Sequence, residues 1–495
     1  MINIQTMTEE ALANLVYPRF WKKPTGDYVG SQVLMPFQVS GKVVTTTQEL
    51  SRIKNERAVL VSNQLDPMIF DDPSKLAGIV SSNIPAHYKI VSSAEGIAVA
   101  VVESSEMDVI TASQYASIDG LSGRIYLAQV ATQFPDLKSI VVREVIQACK
   151  KAAKITVRVN ADTVSQAKTA RLLGAEGTGP VRTEYMFFQT ERLRQFRKML
   201  LGRASDEILA SLRGFQVSDF EGILTAMDGY KVCIRLLDPP LHEFFPKSME
   251  KGSPNLVALA RELEVNQTTL EDTIFAMQES NPMLGWRGSR VGITKPEIYM
   301  IQVEAAILAV VNCLARGVDA QLEILVPLVM NGNEMQRQYQ QIQRTVEATL
   351  QALKIDLKGI YTIGAMIEVP EACFDSASIA KSCQTFSFGT NDLTQCTYGV
   401  SRDDAKFIPT YIRQGILQSD PFSVIRDDGV GKLITMSIKA GRIVNPSLVV
   451  GVCGEQASSR ESIRYLLSTG DIDYIAVSPF KVPITLLRVA QESLR

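Results

Sequence analysis

Three short apolar stretches each end in a side chain that can do chemistry. Residues 385–395, TFSFGTNDLTQ, run from an aromatic strand through Gly389 and then present Thr390, Asn391 and Asp392 on a turn. Upstream, the strand over residues 361–369 closes on the carboxylate of Glu368, just ahead of Pro370. Downstream, residues 448–452 lead into Cys453, Gly454 and Glu455. Strands that deliver reactive groups at their C-terminal ends are how a (β/α)8 barrel builds an active site. Glu368 and Asp392 are hard oxygen donors suited to Mg2+, with the remaining positions left to substrate oxygens and water. A cation there would hold the charge of an enolate or of a transferring phosphoryl group. Thr390 and Asn391 add neutral donors for a carboxylate or ketone oxygen. Cys453 has two readings. It is a buried inert thiol, or a thiol at the cavity that moves a proton to or from carbon.

Arginines sit at corresponding places. Arg182 ends GTGPVR, Arg235 lies in KVCIRLLDPPLHEF, and Arg287 and Arg290 lie in NPMLGWRGSR. Each ends or follows a strand, so they could converge at one mouth, where a guanidinium fork binds phosphate or carboxylate in two-point fashion. The alternative is ordinary salt bridging. Asp238 precedes two prolines that fix its loop. It could orient Arg235, hold a water, or cap a turn. His242, four residues on, reads as a structural histidine hydrogen-bonded within the loop. The other histidine, His87, follows Pro85 at the start of an expected helix. It could accept a phosphoryl group on a ring nitrogen, or be a plain surface residue.

The elements that must position these groups follow from periodicity. From residue 155 onward strands alternate with long amphipathic helices, the signature of parallel βαβ units. Eight strands are expected from ITVRVNA, GAEGTGPVRT, KVCIRLLD, LEILVPLV, YTIGAMIEV, TFSFGTNDL, LVVGVCG and DYIAVSP. NPMLGWRGSR is a ninth claimant, poor in β-formers, for eight places. Residues 131–154 read as a linker helix, 33–130 as a smaller α/β domain with an Asp-Gly/Ser-Gly hairpin at SIDGLSG. Residues 1–32 read as an extension with one amphipathic helix.

Composition bounds the rest. The chain has 495 residues, is 46% apolar and carries a net charge of −2. Two or three well-packed domains are expected, with no nucleic acid or anionic membrane as partner. No unbroken apolar run of spanning length is evident, so no membrane is expected. The start of the sequence lacks the order of a signal peptide. Seven scattered cysteines without a CxxC pair suit a reducing, cytoplasmic setting.

IGAMIEVP, FSFGTNDLTQ followed by SRDD, GVCGE, VNADT, GAEGTGPVRTEYMFF, IRLLDPPLHEFFP, NPMLGWRGSRVGI and VSPFKVPI also resemble the blocks of the phosphoenolpyruvate (PEP)-utilising enzymes, above all pyruvate, phosphate dikinase. The resemblance runs from about residue 35 to the end and lacks the dikinase's ATP-binding domain. It implies a C-terminal (β/α)8 TIM barrel for PEP and pyruvate, preceded by a small swivelling phosphohistidine-like domain. It implies that Arg182, Arg235 and Arg287 hold the phosphoryl group. It gives Mg2+ to Glu368 and Asp392, and the substrate to Gly389, Thr390, Asn391 and Asp392, with Asp238 beside them. Cys453 corresponds to the acid that protonates C3 of the enolate. Trp286 stands where the family commonly has histidine. In the smaller domain the family writes GGxTSHAA around its histidine and this chain writes SSNIPAHYK, although His87 itself is kept.

The resemblance therefore implies a phosphotransferase that runs the half-reaction between phosphohistidine, pyruvate and PEP with Mg2+. It further implies exchange with a separate ATP-binding subunit or phosphocarrier, and a homodimer through the barrel. Two other readings stand beside it. One is a PEP/pyruvate-binding regulatory protein whose histidine loop has degraded. The other is a lyase or hydrolase that uses the barrel without the histidine.

Overall fold

Eight segments between residues 156 and 477 are largely buried and rich in apolar residues, which suits strands covered by helices outside and by one another inside. In the computed structural model they are β1 (Thr156–Val159), β2 (Val181–Arg182), β3 (Lys231–Arg235), β4 (Gln321–Val326), β5 (Tyr361–Ile367), β6 (Thr385–Gly389), β7 (Val449–Cys453) and β8 (Tyr474–Val477). The structure describes residues 3–65, 67–70, 72–84, 86–246, 251–402 and 405–495, and of residues 67, 68, 86, 87, 90 and 93 the backbone alone. The strands form one sheet in the order β1-β8-β7-β6-β5-β4-β3-β2. Every neighbouring pair is parallel. The sheet curls until its edges meet. Val159 bridges Thr178 in parallel, Val159 N donates to Gly177 O at 3.0 Å, and Gly179 N donates to Val159 O at 2.8 Å. The chain is thus an α/β protein with a curled, all-parallel eight-stranded sheet, consistent with the barrel expected from its motifs.

The ninth claimant is not a strand. NPMLGWRGSR forms a 3-10 turn, Pro282–Leu284, and a short helix, Ser289–Thr294. Arg290 Nη1 donates to the carbonyls of Leu284 and Gly285 at 3.2 and 2.7 Å, folding the segment back on itself. The long helices follow their capping signals. In Gly332–Leu353, Asn331 accepts from Glu334 N at the start. Lys354 closes the end at φ 56°. Helix Pro296–Ala315 has the length and mean hydropathy, 1.9, of a membrane span, despite Gln302 and Glu304. It packs against Asp206–Ala226 and Gly332–Leu353, and ten of its residues are buried.

Inside the curl, Cys233, Leu325, Met366, Cys453, Tyr474 and Ala476 pack as one cluster. Gly451 belongs there for steric reasons. A Cβ on it would fall 1.9 Å from the Tyr474 ring, which occupies the space a side chain would need.

Compact grouping divides the chain into Met1–Lys154 with Leu172–Gly174 and Ser478–Arg495, and Ile155–Arg171 with Ala175–Val477. The first unit carries a mixed eight-stranded sheet around four parallel strands, Gln38–Val44, Ala58–Val61, Leu76–Ser81 and Ala98–Val101. The hairpin at SIDGLSG is present. Tyr115–Asp119 pairs with Arg124–Tyr126, Gly123 has φ +69°, and Ser122 Oγ donates to Asp119 Oδ2 at 2.7 Å. Helix Ile140–Ala152, expected as a linker, packs on the terminal helix Val482–Ser493. The helix expected in the extension is Glu9–Val16, capped by Thr8.

Two glycine substitutions separate packing from propensity. Gly451→Ala is expected to destabilise by about 1–3 kcal/mol through overpacking against Tyr474. Gly214→Ala lies in helix Asp206–Ala226 with nothing within 4 Å of its added methyl. It is expected to stabilise by about 1 kcal/mol. Urea midpoints at unchanged slope check both; equal effects would contradict the packing described.

Candidate active site

The strand ends bring most of the singled-out residues together. Arg182 and Arg235 are the last residues of β2 and β3, paired in register. Arg287 comes from the loop after the Pro282–Leu284 turn, where Gly288 adopts φ +59°. What unites them is Asp238. Its Oδ2 accepts from Arg287 Nη2 at 2.5 Å and lies 3.1 Å from Arg235 Nη1. Its Oδ1 accepts from Arg287 Nε at 3.2 Å. The loop beneath is held from behind, since Leu237 N donates to Gln302 Oε1 and Tyr299 Oη to Leu237 O. Of the three readings of Asp238, the orienting one is realised. Burial pushes its carboxyl up, but Arg287 and Arg235 more than offset this and hold it below the usual range.

Each remaining fork is also tied. Arg182 grips Asp162 through Nε, at 3.2 and 3.1 Å, and Nη2, at 2.5 Å. Its backbone N donates to the same carboxylate at 2.8 Å. Arg235 Nη2 donates to Glu184 Oε1 at 2.5 Å, while Arg235 Nε and Glu184 Oε2 are buried without a partner among the described residues. Arg287 Nη1 reaches Asp392 Oδ1 at 3.3 Å. Asp162 and Glu184 were not picked out beforehand. Asp162 stands three residues past the end of β1 in VNADT, and Glu184 two residues past Arg182. Their signal was an acid at or just after a strand end, the same signal that picked out Glu368.

Glu368 is 1% exposed at the end of β5. Its Oε1 accepts from Leu328 N at 2.7 Å, and Leu328 sits at φ 52°, a strained region for a residue with a side chain. The carboxyl also presses on Gly389, where a Cβ would lie 2.4 Å from Glu368 Oε2. Burial pushes Glu368 up to about 8, the charges of Asp392 and Asp238 add to this, and Arg287 and Arg235 oppose it.

Thr390, Asn391 and Asp392 are not on a turn. They form the first turn of helix Thr390–Tyr398, so backbone N–H groups also point into the mouth. Thr390 is fully buried and donates to Cys453 O at 2.9 Å, tying β6 to β7 rather than standing free for a ligand. Asn391 Oδ1 accepts from Glu455 N at 3.3 Å. Cys453 ends β7 in register with Gly389, with Sγ 3.4 Å from Phe388 O and 3.9 Å from Ser387 Oγ. Burial, then the charge of Glu368, pushes the thiol up to about 12, so it holds its proton at neutral pH.

Other expectations resolve differently. His242 Nδ1 is buried with no hydrogen-bond partner among the described residues. Trp286 Nε1 donates to Thr294 Oγ1 at 2.6 Å on the outer side of its loop. His87 lies in helix Ala86–Glu95, as its place after Pro85 suggested, but its side chain is outside the described residues. Asp403 and Asp404 of the SRDD block also lie outside them.

The family description "PEP-utilising enzyme, PEP-binding domain" matches residues 138–494. The chain is 42% identical over 393 residues to the chloroplastic pyruvate, phosphate dikinase of Flaveria trinervia, covering 77% of this chain and 40% of that one. It is 38% identical over 481 residues to the Flaveria pringlei protein of that name, covering 92% and 49%. It is 34% identical over 509 residues to pyruvate, phosphate dikinase of Clostridium symbiosum, covering 98% and 57%. The chain thus spans about half the length of the curated relatives it matches. On that family match, this chain belongs to the PEP-utilising enzymes.

Proposed function

We propose that the chain is a phosphotransferase that interconverts phosphohistidine plus pyruvate with PEP. The observation that carries this reading is the ladder of arginines and carboxylates that ends at Asp392, near Glu368, with the Cys453 thiol, pushed toward its protonated form, on the strand next to β6. Phosphoryl transfer asks mainly for positioning and charge. Arg182, Arg235 and Arg287 offer forks already oriented by carboxylates, so little reorganisation is needed when an anionic phosphoryl group arrives. The first-turn amides of helix Thr390–Tyr398 suit the substrate carboxylate. Cys453 would give its proton to C3 of the enolate, or take one from the pyruvate methyl group in the reverse direction.

Glu368 and Asp392 fit Mg2+. They are two facing carboxyls whose mutual repulsion a cation relieves, and no cluster of three or more metal-binding side chains is gathered among the described residues. That leaves the other positions of an octahedral ion to substrate and water. When bound, Mg2+ would supply positive charge to the enolate oxygen and phosphoryl group. The phosphoryl group would travel on His87 of a swivelling domain to a second partner, an ATP-binding unit or a phosphocarrier, with a homodimer formed through the barrel. A regulatory PEP/pyruvate-binding protein is the second reading. SSNIPAH favours it, because the family's glycine pair and hydroxyl residues are replaced beside the histidine.

Labelling separates the two. With Mg2+ and PEP carrying a radioactive phosphoryl group, the wild type is expected to take up acid-labile label and His87→Ala none. Arg235→Ala should lose about 100-fold or more in labelling rate. Full labelling of Arg235→Ala sinks the barrel assignment, and bound PEP without label establishes the regulatory reading.

A pH series tests the carboxylate pair. Glu368 is raised from its ordinary 4.5 to about 8 in the folded chain. The folded state therefore binds its proton more tightly than the unfolded state does. Stability is highest below about 4.5 with respect to this group, and declines as pH rises through about 8. Without divalent cations, the melting temperature relative to Glu368→Gln should fall between pH 5 and 8. Added Mg2+ should flatten the wild-type slope and leave Glu368→Gln unmoved. An unchanged slope with Mg2+ removes the ion from this pair.

A further inference from the structure

Below the mouth, the inside of the curled sheet is not filled by hydrocarbon alone. Thr385 on β6 donates to Glu323 Oε2 on β4 at 2.7 Å, two strands away, so both side chains lie inside. Arg158 on β1 lies 3.8 Å over the Tyr474 ring of β8. Glu323 and Tyr474 are 1% and 0% exposed. Four polar atoms of this layer are buried without a partner among the described residues: Glu323 Oε1, Tyr474 Oη, Arg158 Nε and Arg158 Nη1. The Tyr474 hydroxyl faces Ser387 but does not meet hydrogen-bond geometry with it. Ser387 in turn lies 3.9 Å from Cys453 Sγ. Unpaired buried polar atoms are costly, and a polar, gathered set of them is where bridging water sits. Apolar residues of similar volume would fill such a layer as well or better for stability. The layer therefore calls for a use, and it leads upward to the Cys453 thiol at the mouth.

We propose that Arg158, Glu323 and Tyr474, joined by bridging water, form a proton path from the N-terminal ends of the strands to Cys453. The path rests on the reading of Cys453 as the acid toward C3. Its S–H bond breaks as the C3–H bond forms, leaving a thiolate. Ser387 passes its hydroxyl proton to Sγ and takes one from Tyr474 through water. The phenolate is refilled from water held at Glu323 Oε1, and that water by a proton entering from solvent. Arg158, over the ring, offsets the transient negative charge. In the reverse direction each transfer runs backward. Charge and protons balance, and the substrate pocket need not open for the thiol to be recharged. Glu323, Arg158 and Tyr474 are positioning residues here, since none touches substrate.

Exchange of pyruvate methyl protons for deuterium, followed by proton NMR on the full chain with Mg2+ in D2O, tests the path. Wild type is expected to exchange. Glu323→Gln should exchange about tenfold more slowly or worse. Its melting temperature and half-saturating pyruvate concentration should stay as in wild type, and small buffer acids should restore part of the rate. Thr385→Val, which frees Glu323, should show a smaller loss of the same kind. A wild-type rate in Glu323→Gln overturns the path, as does a loss that tracks weakened pyruvate binding or a lower melting temperature. Undiminished exchange in Cys453→Ala overturns the reading of Cys453 itself and the path with it. So does an absence of exchange in wild type that binds pyruvate.

Discussion

One carboxylate, Asp238, sits between two guanidinium groups, and the mouth of the curled sheet is arranged around that contact. Three arginines brought within reach of one anion would repel each other in a buried setting. The chain alternates charge instead: Asp162 on Arg182, Glu184 and Asp238 on Arg235, Asp238 and Asp392 on Arg287. Such pairs are poor evidence of added stability, because desolvation offsets much of the attraction. Their value is orientation. A guanidinium fork held in its plane by two oxygens presents its remaining edge in a fixed direction. The prolines after Asp238, and the contacts of Leu237 with Gln302 and Tyr299, place the carboxylate itself.

The same economy of movement governs Glu368. Its oxygen is fixed by an amide that Leu328 can offer only from the left-handed region. The next strand makes room for it with a glycine. Backbone strain and a missing side chain are both local disadvantages for folding. They are tolerated where geometry matters more than local stability. Thr390, far from being a spare donor, locks β6 to β7 and so fixes the spacing between Asp392 and Cys453.

Much of this was legible in sequence because strand ends announce themselves. Apolar runs closing on Glu368, on Gly389-Thr390-Asn391-Asp392 and on Cys453 gave their strands and their order. The eight segments named as strands are the eight observed, GAEGTGPVRT only over Val181–Arg182, and NPMLGWRGSR, which folds into a turn and a short helix, is not among them. What escaped were partners. Asp162 and Glu184 carried the same strand-end signal as Glu368, but which arginine each meets is set only when the strand ends come together. Ser387 and Tyr474 escaped because inward and outward positions look alike on strands buried on both faces. Thr390 was misjudged because Gly389 caps a helix, and a turn and a helix start share the same residues. The apolar helix Pro296–Ala315 was passed over because Gln302 and Glu304 interrupt its run.

The ladder also sets a condition on any ligand. Three guanidinium groups face five carboxyls, of which Glu184 and Glu368 are pushed toward the neutral form. An anionic phosphoryl group at the remaining edges of these arginines would share their positive charge with Asp162, Glu184 and Asp238. Those carboxyls then meet each other and the incoming anion with less positive charge between them. The repulsion is relieved by a proton or by a cation at Glu368 and Asp392. Under the proposed function, anion binding and the uptake of positive charge would therefore be linked in this mouth, each favouring the other to the same degree. Affinity for the proposed anion would then be set at Glu368 and Asp392 as much as at the arginines themselves.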